Sequence, residues 1–468
     1  MKRGTTPQDR GSHTNRSPGG IVPTAALSSP TRLARGVGLG HEVPAGRDGD
    51  SGLQARLRAI CDKRAACNTL HSLESILAVA AFGTATVGGD TVTAISHWAD
   101  DAPQEILARL GCRRDPFTGL HHPPSERTLR RVLAQTDGDE LDRGTCSYLA
   151  GCDDVRASSA PGDAGDGREI PAGLRVGQGC EREARRAVQR TREHPLPAGM
   201  LGAGAADGKA VRGAGHGQAS APQLLSLLHH GRGVVLGQRQ IADKTNEVPE
   251  LAPLLADALV NSDVAVITAD ALHTVRESAR KISEDFGRYY VLVLKENQPT
   301  LLAAARTRLS QGNDGDHARA DTGHTETDRG HGRIERRTIR TAPATSLDFP
   351  HAAQVFRIVR HVADLDGNGL SKEVAYGITN APPQVAGPAH LNTYVRQHWS
   401  VENSGHYVRD RTLREDDCQA RTGQLPHVLA TLRNLVISAF RQRGHVNIAH
   451  ARRHYTNVPQ RLLELFTL

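Results

Sequence analysis

No Cys-x-x-Cys pair occurs in this chain, whose seven cysteines (Cys61, Cys67, Cys112, Cys146, Cys152, Cys180 and Cys418) form an odd, scattered set. That absence argues against a zinc ribbon and against a disulfide framework, and it fits a reducing compartment. No apolar run approaches the roughly 18 residues that a membrane helix needs. The polar start MKRGTTPQDRGSHTNRSPGG lacks the apolar core of a signal peptide. The expectation is a soluble, cytoplasmic protein without a membrane partner. The HExxH spacing of zinc proteases is missing as well, and no internal repeat is visible.

What is present is a basic balance. The 58 Lys and Arg against 51 Asp and Glu leave a formal charge of +7, which favours polyanionic partners without proving them. A length of 468 residues suggests two or three folded units joined by linkers.

The composition divides the chain. Residues 1–52 are rich in Gly, Pro, Ser, Thr and Arg and read as a disordered basic N-terminus. Residues 53–150 carry helical periods with glycine stops and predict a small all-α domain. Residues 151–203 mix glycine, arginine and alanine with little period and read as a linker. Strand-like runs follow at Leu224 to His229, Val234 to Ile241, Val264 to Ala269 and Tyr289 to Lys295, alternating with helical patterns, which predicts an α/β sheet over 204–305. Short alternating runs predict a β-rich insertion over 306–390. Helix returns over 391–445, and 446–468 reads as a C-terminal tail.

Three acids stand at suggestive places: Asp207 in ADGKAVRGA, Asp270 at the end of VAVITAD, and Glu402 in RQHWSVENSGHYVRD. Carboxylates at the ends of neighbouring strands, completed by one from a helix, can hold two divalent ions about 4 Å apart for in-line phosphoryl transfer. Each acid also has an ordinary reading: Asp270 as a helix N-cap, Asp207 as a turn residue before Gly208, Glu402 as a solvated helix residue. At about 100° per residue, His398, Glu402, His406 and Arg409 share one helical arc. His398 and His406 are two turns apart, roughly 12 Å along the axis, too far to bind one ion together. His229 and His230, successive on a strand, face opposite ways and read as incidental.

The basic residues offer candidate DNA contacts. Ser125 predicts an N-cap for a helix from which Arg127, Arg130 and Arg131 project, as in a helix-turn-helix reader or simply as a solvated basic face. Lys295 and Asn297 follow a strand. In RIERRTIRT, alternation puts Arg336 and Arg340 on one face and Arg333 and Arg337 on the other, so one face could track a phosphate backbone.

Taken together, DGKAVRGA, ITADALHT, VLKENQPTL, HGRIERRTIRTA and RQHWSVEN followed by REDD resemble the DDE transposases of ISAs-type insertion sequences, also called H-repeat-associated proteins. The motifs span Asp207 to about Ala451, and Leu70 to Leu141 looks like that family's preceding helical domain. The resemblance implies an RNase H-like core, a mixed sheet flanked by helices, interrupted by the β-rich insertion. It implies Asp207, Asp270 and Glu402 as catalytic metal ligands for two Mg²⁺ or Mn²⁺ ions. It also implies a DNA contact from Arg409, while His398 reads as a phosphate or carboxylate partner and the basic residues above are DNA contacts by pattern. The partners implied are double-stranded DNA, as transposon inverted-repeat ends and as target, and a second copy in a homodimer, with the protein associated with the nucleoid.

The chain departs from the family in places. MLGAGAADGKAV is glycine- and alanine-rich where a strong apolar strand is expected, and Ser404-Gly405 replaces helix-favouring residues after Glu402-Asn403. A helix-interior glycine costs about 1 kcal/mol relative to alanine. Such departures fit a decayed or frameshifted copy. Two other classes stay open: a non-catalytic DNA-binding relic, and a metal-dependent nuclease without strand transfer.

Overall fold

The computed structural model describes residues 52–65, 69–158, 196–215, 220–241, 247–260, 262–310, 322–330, 332–345 and 347–466. Nearly all of the expected disordered N-terminus and most of the expected linker lie outside them. Six helices come first: α1 (Leu53–Arg58), α2 (Leu73–Ala85), α3 (Val92–Asp100), α4 (Gln104–Arg109), α5 (Glu126–Leu133) and α6 (Gly138–Ser158). A short hairpin, β1 (Arg113–Arg114) and β2 (His121–His122), separates α4 from α5. Side-chain hydroxyls start three of the helices: Ser72 caps α2, Thr91 caps α3, and Ser125 accepts from the Thr128 amide at the head of α5 as its sequence predicts.

Nine strands then build one sheet. β3 (Gly202–Ala210), β4 (Gln223–His229) and β5 (Val235–Ile241) are antiparallel, and β6 (Val264–Ala269) and β7 (Tyr289–Leu294) run parallel to β3. Helix α7 (Glu247–Ala258) connects β5 to β6, α8 (Arg276–Arg280) leads toward β7, and α9 (Pro299–Ser310) follows it. The expected insertion supplies β8 (Gly323–Gly330), β9 (Arg333–Pro343), β10 (Gln354–Asp364) and β11 (Gly369–Thr379). These strands extend the same sheet, because β11 pairs antiparallel with β7, giving the order β5-β4-β3-β6-β7-β11-β10-β9-β8.

The glycine-rich run MLGAGAADGKAV forms the central strand β3, paired on both sides. Its glycines are required by close packing. A methyl on Gly202 would meet the Asp263 carbonyl oxygen at 2.6 Å, and one on Gly204 would reach Leu227 at 3.0 Å. Larger side chains would pack a strand here but push its neighbours away.

Apolar side chains cover both faces of the sheet. Ala206, Ile267 and Leu292 pack beneath α7 to α9, whereas Ala203, Val266 and Val291 meet α10 (Pro388–His398). After α10 the chain runs through two π-helical stretches, Val401–His406 and Val408–Thr412, before α11 (Leu425–Gln442), α12 (Ile448–Thr456) and α13 (Gln460–Leu465).

The early helices bury their apolar residues together with these last ones in a single cluster that runs from Leu53 to Phe466. Residues 446–466 are therefore core-forming helices where the sequence reads as a tail. Phe466 is fully buried, with its ring 5.1 Å from that of Phe82. Phe466→Ala is expected to cost about 3 to 5 kcal/mol in urea denaturation, whereas truncating a solvated tail residue would leave the midpoint unchanged.

Candidate active site

The parallel register of β3 on β6 sets Ala206 opposite Ala269, so the next residues, Asp207 and Asp270, emerge side by side. Asp270 leaves the sheet and caps a short turn, its Oδ1 accepting from the amides of Leu272 (2.9 Å) and His273 (3.4 Å). The N-cap reading and the functional reading thus coexist, since the cap fixes how the carboxylate points. The turn is tied to the following strand and loop: Asn297 Nδ2 donates to the Ala271 carbonyl at 2.6 Å, and Thr274 Oγ1 donates to that of Val293 at 2.6 Å.

Asp207 Oδ1 accepts from the Gly208 amide at 3.0 Å, and the His406 ring Nδ1 lies 3.6 Å from Oδ2. Burial pushes the Asp207 carboxyl up to about 7, with Asp270 adding the next largest push and Glu247 and Glu402 contributing further against the Gly208 hydrogen bond. Asp270, Glu247 and Glu402 thus lie near enough to act on the Asp207 carboxyl, although Glu402 itself is exposed. Glu247 is a fourth acid that sequence reasoning missed. An acid in the first turn of a helix is ordinary N-terminal charge preference, and nothing marked this one out.

Three histidines in this region, His398, His230 and His406, have lowered pKa values. Burial is the main cause in each case, taking His398 to about 4 and His230 and His406 to about 3. Thr268 Oγ1 joins two of them, lying 2.9 Å from His398 Nδ1 and 2.9 Å from His230 Nε2. His398 thus braces β6 next to Asp270, and His230 belongs to the same chain of contacts.

Arg409 differs from its expected role. It is 2% exposed, and its guanidinium grips Glu415 through two hydrogen bonds of 3.0 and 2.8 Å while donating to Gln238 Oε1 at 3.0 Å. The physical reason is the local winding. The segment from Val401 is π-helical, with the Tyr407 amide bonded to the Glu402 carbonyl, so the residue seven positions on no longer shares the face of Glu402.

Burial works upward on the Glu415 carboxyl, but Arg409, Arg433 and Lys209 outweigh it and hold it below the ordinary carboxylate value. Lys209, two residues after Asp207, also binds Asp410 at 2.5 Å. This buried cluster clamps the Glu402 segment onto β3. Gly405 fits the arrangement: a methyl there would touch only Val401, at 3.9 Å.

The remaining basic candidates are spread out. Lys295 and Asn297 line a cleft of about 550 Å³ beside the Asp270 turn, together with Leu272, Arg306 and Tyr376. Arg127, Arg130 and Arg131 are exposed on α5, with Arg130 paired to Glu126 at 2.5 Å. Arg333 and Arg336 are exposed on β9, five strand steps from β3 and so about 24 Å away across the sheet.

Among the described residues no group of three or more His, Cys, Asp or Glu is closed into a ready metal site. Carboxylate oxygens are nevertheless the donor type that suits a hard divalent cation, and Asp207 and Asp270 present two of them on adjacent strands. No helix among the described residues is long and apolar enough to cross a membrane.

The fold is a mixed α/β sheet that sets two acids at the same level on adjacent parallel strands. Residues 190–438 match the family described as "Transposase DDE domain", and residues 54–149 match "DDE_Tnp_1-associated". The chain belongs to this transposase family. It is 28% identical over 250 residues to "Putative transposase YncI" of Escherichia coli O157:H7, covering 51% of this chain and 61% of that protein. It is 25% identical over 225 residues to "H repeat-associated putative transposase YhhI" of Escherichia coli K12, covering 46% and 57%. The match thus spans about six tenths of each relative's length. Among solved structures, the piggyBac transposase synaptic complex with hairpin DNA is loosely similar, with a TM-score of 0.31 and 10% identity over 85% of this chain and 80% of that one.

Two outcomes follow from the electrostatics. An Asp207 carboxyl at about 7 when folded against 3.8 ordinarily binds its proton more tightly in the folded state, so its contribution to stability falls as pH rises from about 4 to about 7. Asp207→Asn removes that loss. The variant should be more stable than wild type at pH 8 in EDTA, with the difference vanishing near pH 4, as read from urea midpoints. Arg409→Ala, which strands a buried carboxylate, should cost about 3 to 5 kcal/mol, and adding Glu415→Gln should restore part of it.

Proposed function

We propose that the chain is a transposase that cuts DNA at the ends of a mobile element and transfers the freed 3′-hydroxyl to target DNA, with Asp207, Asp270 and Glu402 holding two Mg²⁺ or Mn²⁺ ions. The observation that carries this reading is the register of β3 on β6, Ala206 opposite Ala269, which sets Asp207 and Asp270 side by side. When bound, a pair of divalent ions would activate the attacking oxygen and stabilise the leaving one. The strand order β5-β4-β3-β6-β7, three antiparallel strands followed by two parallel ones, supports an RNase H-like core.

The residues of the chain then divide the work. The cap made by Asp270 and the clamp from Lys209 to Asp410 keep two of the carboxylates from swinging away. Neutral His406, 3.6 Å from Asp207, can orient that carboxylate without competing with a cation. Lys295 and Asn297 stand in the cleft next to Asp270 and would contact the DNA backbone near the cut. Arg127, Arg130, Arg131, Arg333 and Arg336 are exposed and would hold more distant duplex, as end or as target. Joining two ends calls for two copies of the chain.

The test is a plasmid carrying the element's terminal repeats, incubated with Mg²⁺ and either wild type or Glu402→Gln. Wild type is expected to nick and join strands, and Glu402→Gln to fall to background. Unchanged cleavage by the variant would sink the assignment of the acids. Nicks without joined products would indicate a nuclease instead.

A further inference from the structure

The β1–β2 hairpin between α4 and α5 carries Phe117 at its tip, 95% exposed. Every other phenylalanine of the chain is buried or half-buried. The loop that holds this ring in water is built of turn residues, Asp-Pro-Phe-Thr-Gly. Asp115 Oδ1 accepts from the amides of Phe117 at 2.7 Å and Thr118 at 3.0 Å, and Gly119 takes a left-handed φ of +71°. The Asp115 amide donates to the Leu120 carbonyl at 2.8 Å, and the Gly119 amide to that of Asp115 at 2.9 Å.

Gln104 on α4 fastens the hairpin to the helices. Its Nε2 donates to the His121 carbonyl at 3.1 Å and its Oε1 accepts from the His121 amide at 2.6 Å. The tip is therefore set before anything binds it, and little ordering entropy is lost on contact.

Cations flank the ring on both sides. Arg113 pairs with His122 and Arg114 with His121, so alternation sets Arg113 on one face of the ribbon and Arg114 on the other. Both arginines are exposed, and Arg114 Nε donates to the Gly119 carbonyl at 3.1 Å, which lays its guanidinium along the tip. Only Pro123, Pro124 and Ser125 separate β2 from α5. On that helix Arg127, Arg130 and Arg131 share the face opposite the buried Leu129, Val132 and Leu133.

From Arg113 to Arg131 the chain carries five arginines and two acids. Both acids are occupied, Asp115 in the turn and Glu126 with Arg130 and Thr93. An apolar ring between two cations matches a groove of duplex DNA, where phosphates wall a floor of stacked bases.

We propose that the hairpin is a wing that enters the minor groove of duplex DNA, with Phe117 wedged into a base step and Arg113 and Arg114 on the phosphates of either strand. An apolar wedge of this kind partly unstacks the step and kinks the duplex. The proposal rests on the reading of the chain as a transposase that binds DNA. It places the kink on the helical half of the chain, away from the acids.

The experiment is binding of the full-length protein, in EDTA, to a duplex that carries one terminal repeat of the element and is labelled at both ends for energy transfer. Wild type is expected to draw the ends together, as a kink of about 20 to 90° does. Phe117→Ala is expected to lose the kink and about five-fold or more in affinity, the scale of one lost aromatic–base stack. Its thermal midpoint and salt dependence should stay those of wild type, because neither packing nor charge is removed. Phe117→Leu should keep most of the kink, since leucine also wedges, and Arg113→Ala should lower the salt slope by about 1.

A straight duplex on wild type, or wild-type kinking and affinity in Phe117→Ala, overturns the wedge. Slower or faster sedimentation of DNA-free Phe117→Ala than of wild type also overturns it, and marks the hairpin as a contact between copies of the chain. Glu402→Gln is expected to kink the duplex like wild type, so the wing and the assignment of the acids fail separately.

Discussion

The register of β3 against β6, Ala206 opposite Ala269, is the constraint on which the candidate site depends. Side chains alternate along a strand, so a slip of one residue would turn Asp207 to the opposite face and bring Gly208 or Ala206 beside Asp270. The register is held by a strand almost without bulk. Gly202 and Gly204 let Asp263 and Leu227 approach closely, and Ala203, Ala205 and Ala206 are buried with little side chain to misfit. A chain that must bring two acids together against their own repulsion sets them on its most tightly packed backbone.

Charge compensation is arranged in two zones. Glu415 is wholly buried yet paired with Arg409, Arg433 and Lys209, so that region is close to neutral and rigid. A few residues away along β3, Asp207 and Asp270 stand side by side, and burial together with Asp270, Glu247 and Glu402 pushes the Asp207 carboxyl up. Lys209 bears on both zones, since it follows Asp207 by two residues and grips Asp410 on the segment that carries Glu402. Strong pairing at the back lets the front remain electrostatically unsatisfied without the segment drifting away.

Much of this was legible in the sequence. The apolar runs at Val264 to Ala269 and Tyr289 to Lys295 correspond to β6 and β7, and the Ser125 cap lies where its pattern predicts. Asp207 and Asp270 stand side by side through the register of β3 on β6. What escaped did so for physical reasons. β8 reads GHTETDRG, an edge strand whose exposed face needs no apolar alternation.

The closing helices look polar because of residues such as Arg452, which is 4% exposed and whose two terminal guanidinium nitrogens donate to the carbonyls of Thr86 and Thr412 and to Asp90. Arg409 leaves its expected face because that spacing holds on an α-helix, whereas the backbone there winds wider. Glu247 carries no pattern of its own, and only its effect on the Asp207 carboxyl reveals it.

The insertion strands join the core sheet edge to edge, so nine strands share one continuous twist. Neighbouring strands rotate by roughly 20 to 25°, and five steps separate β3 from β9. Alternation leaves Arg333 on the face that carries Asp207 and Arg336 on the other, and Arg333 is thus turned by about 100 to 125° relative to the acids. A straight rod laid across the acids would point past that arginine. Anything touching both must curve with the sheet, or else two separate rods must lie crossed upon it.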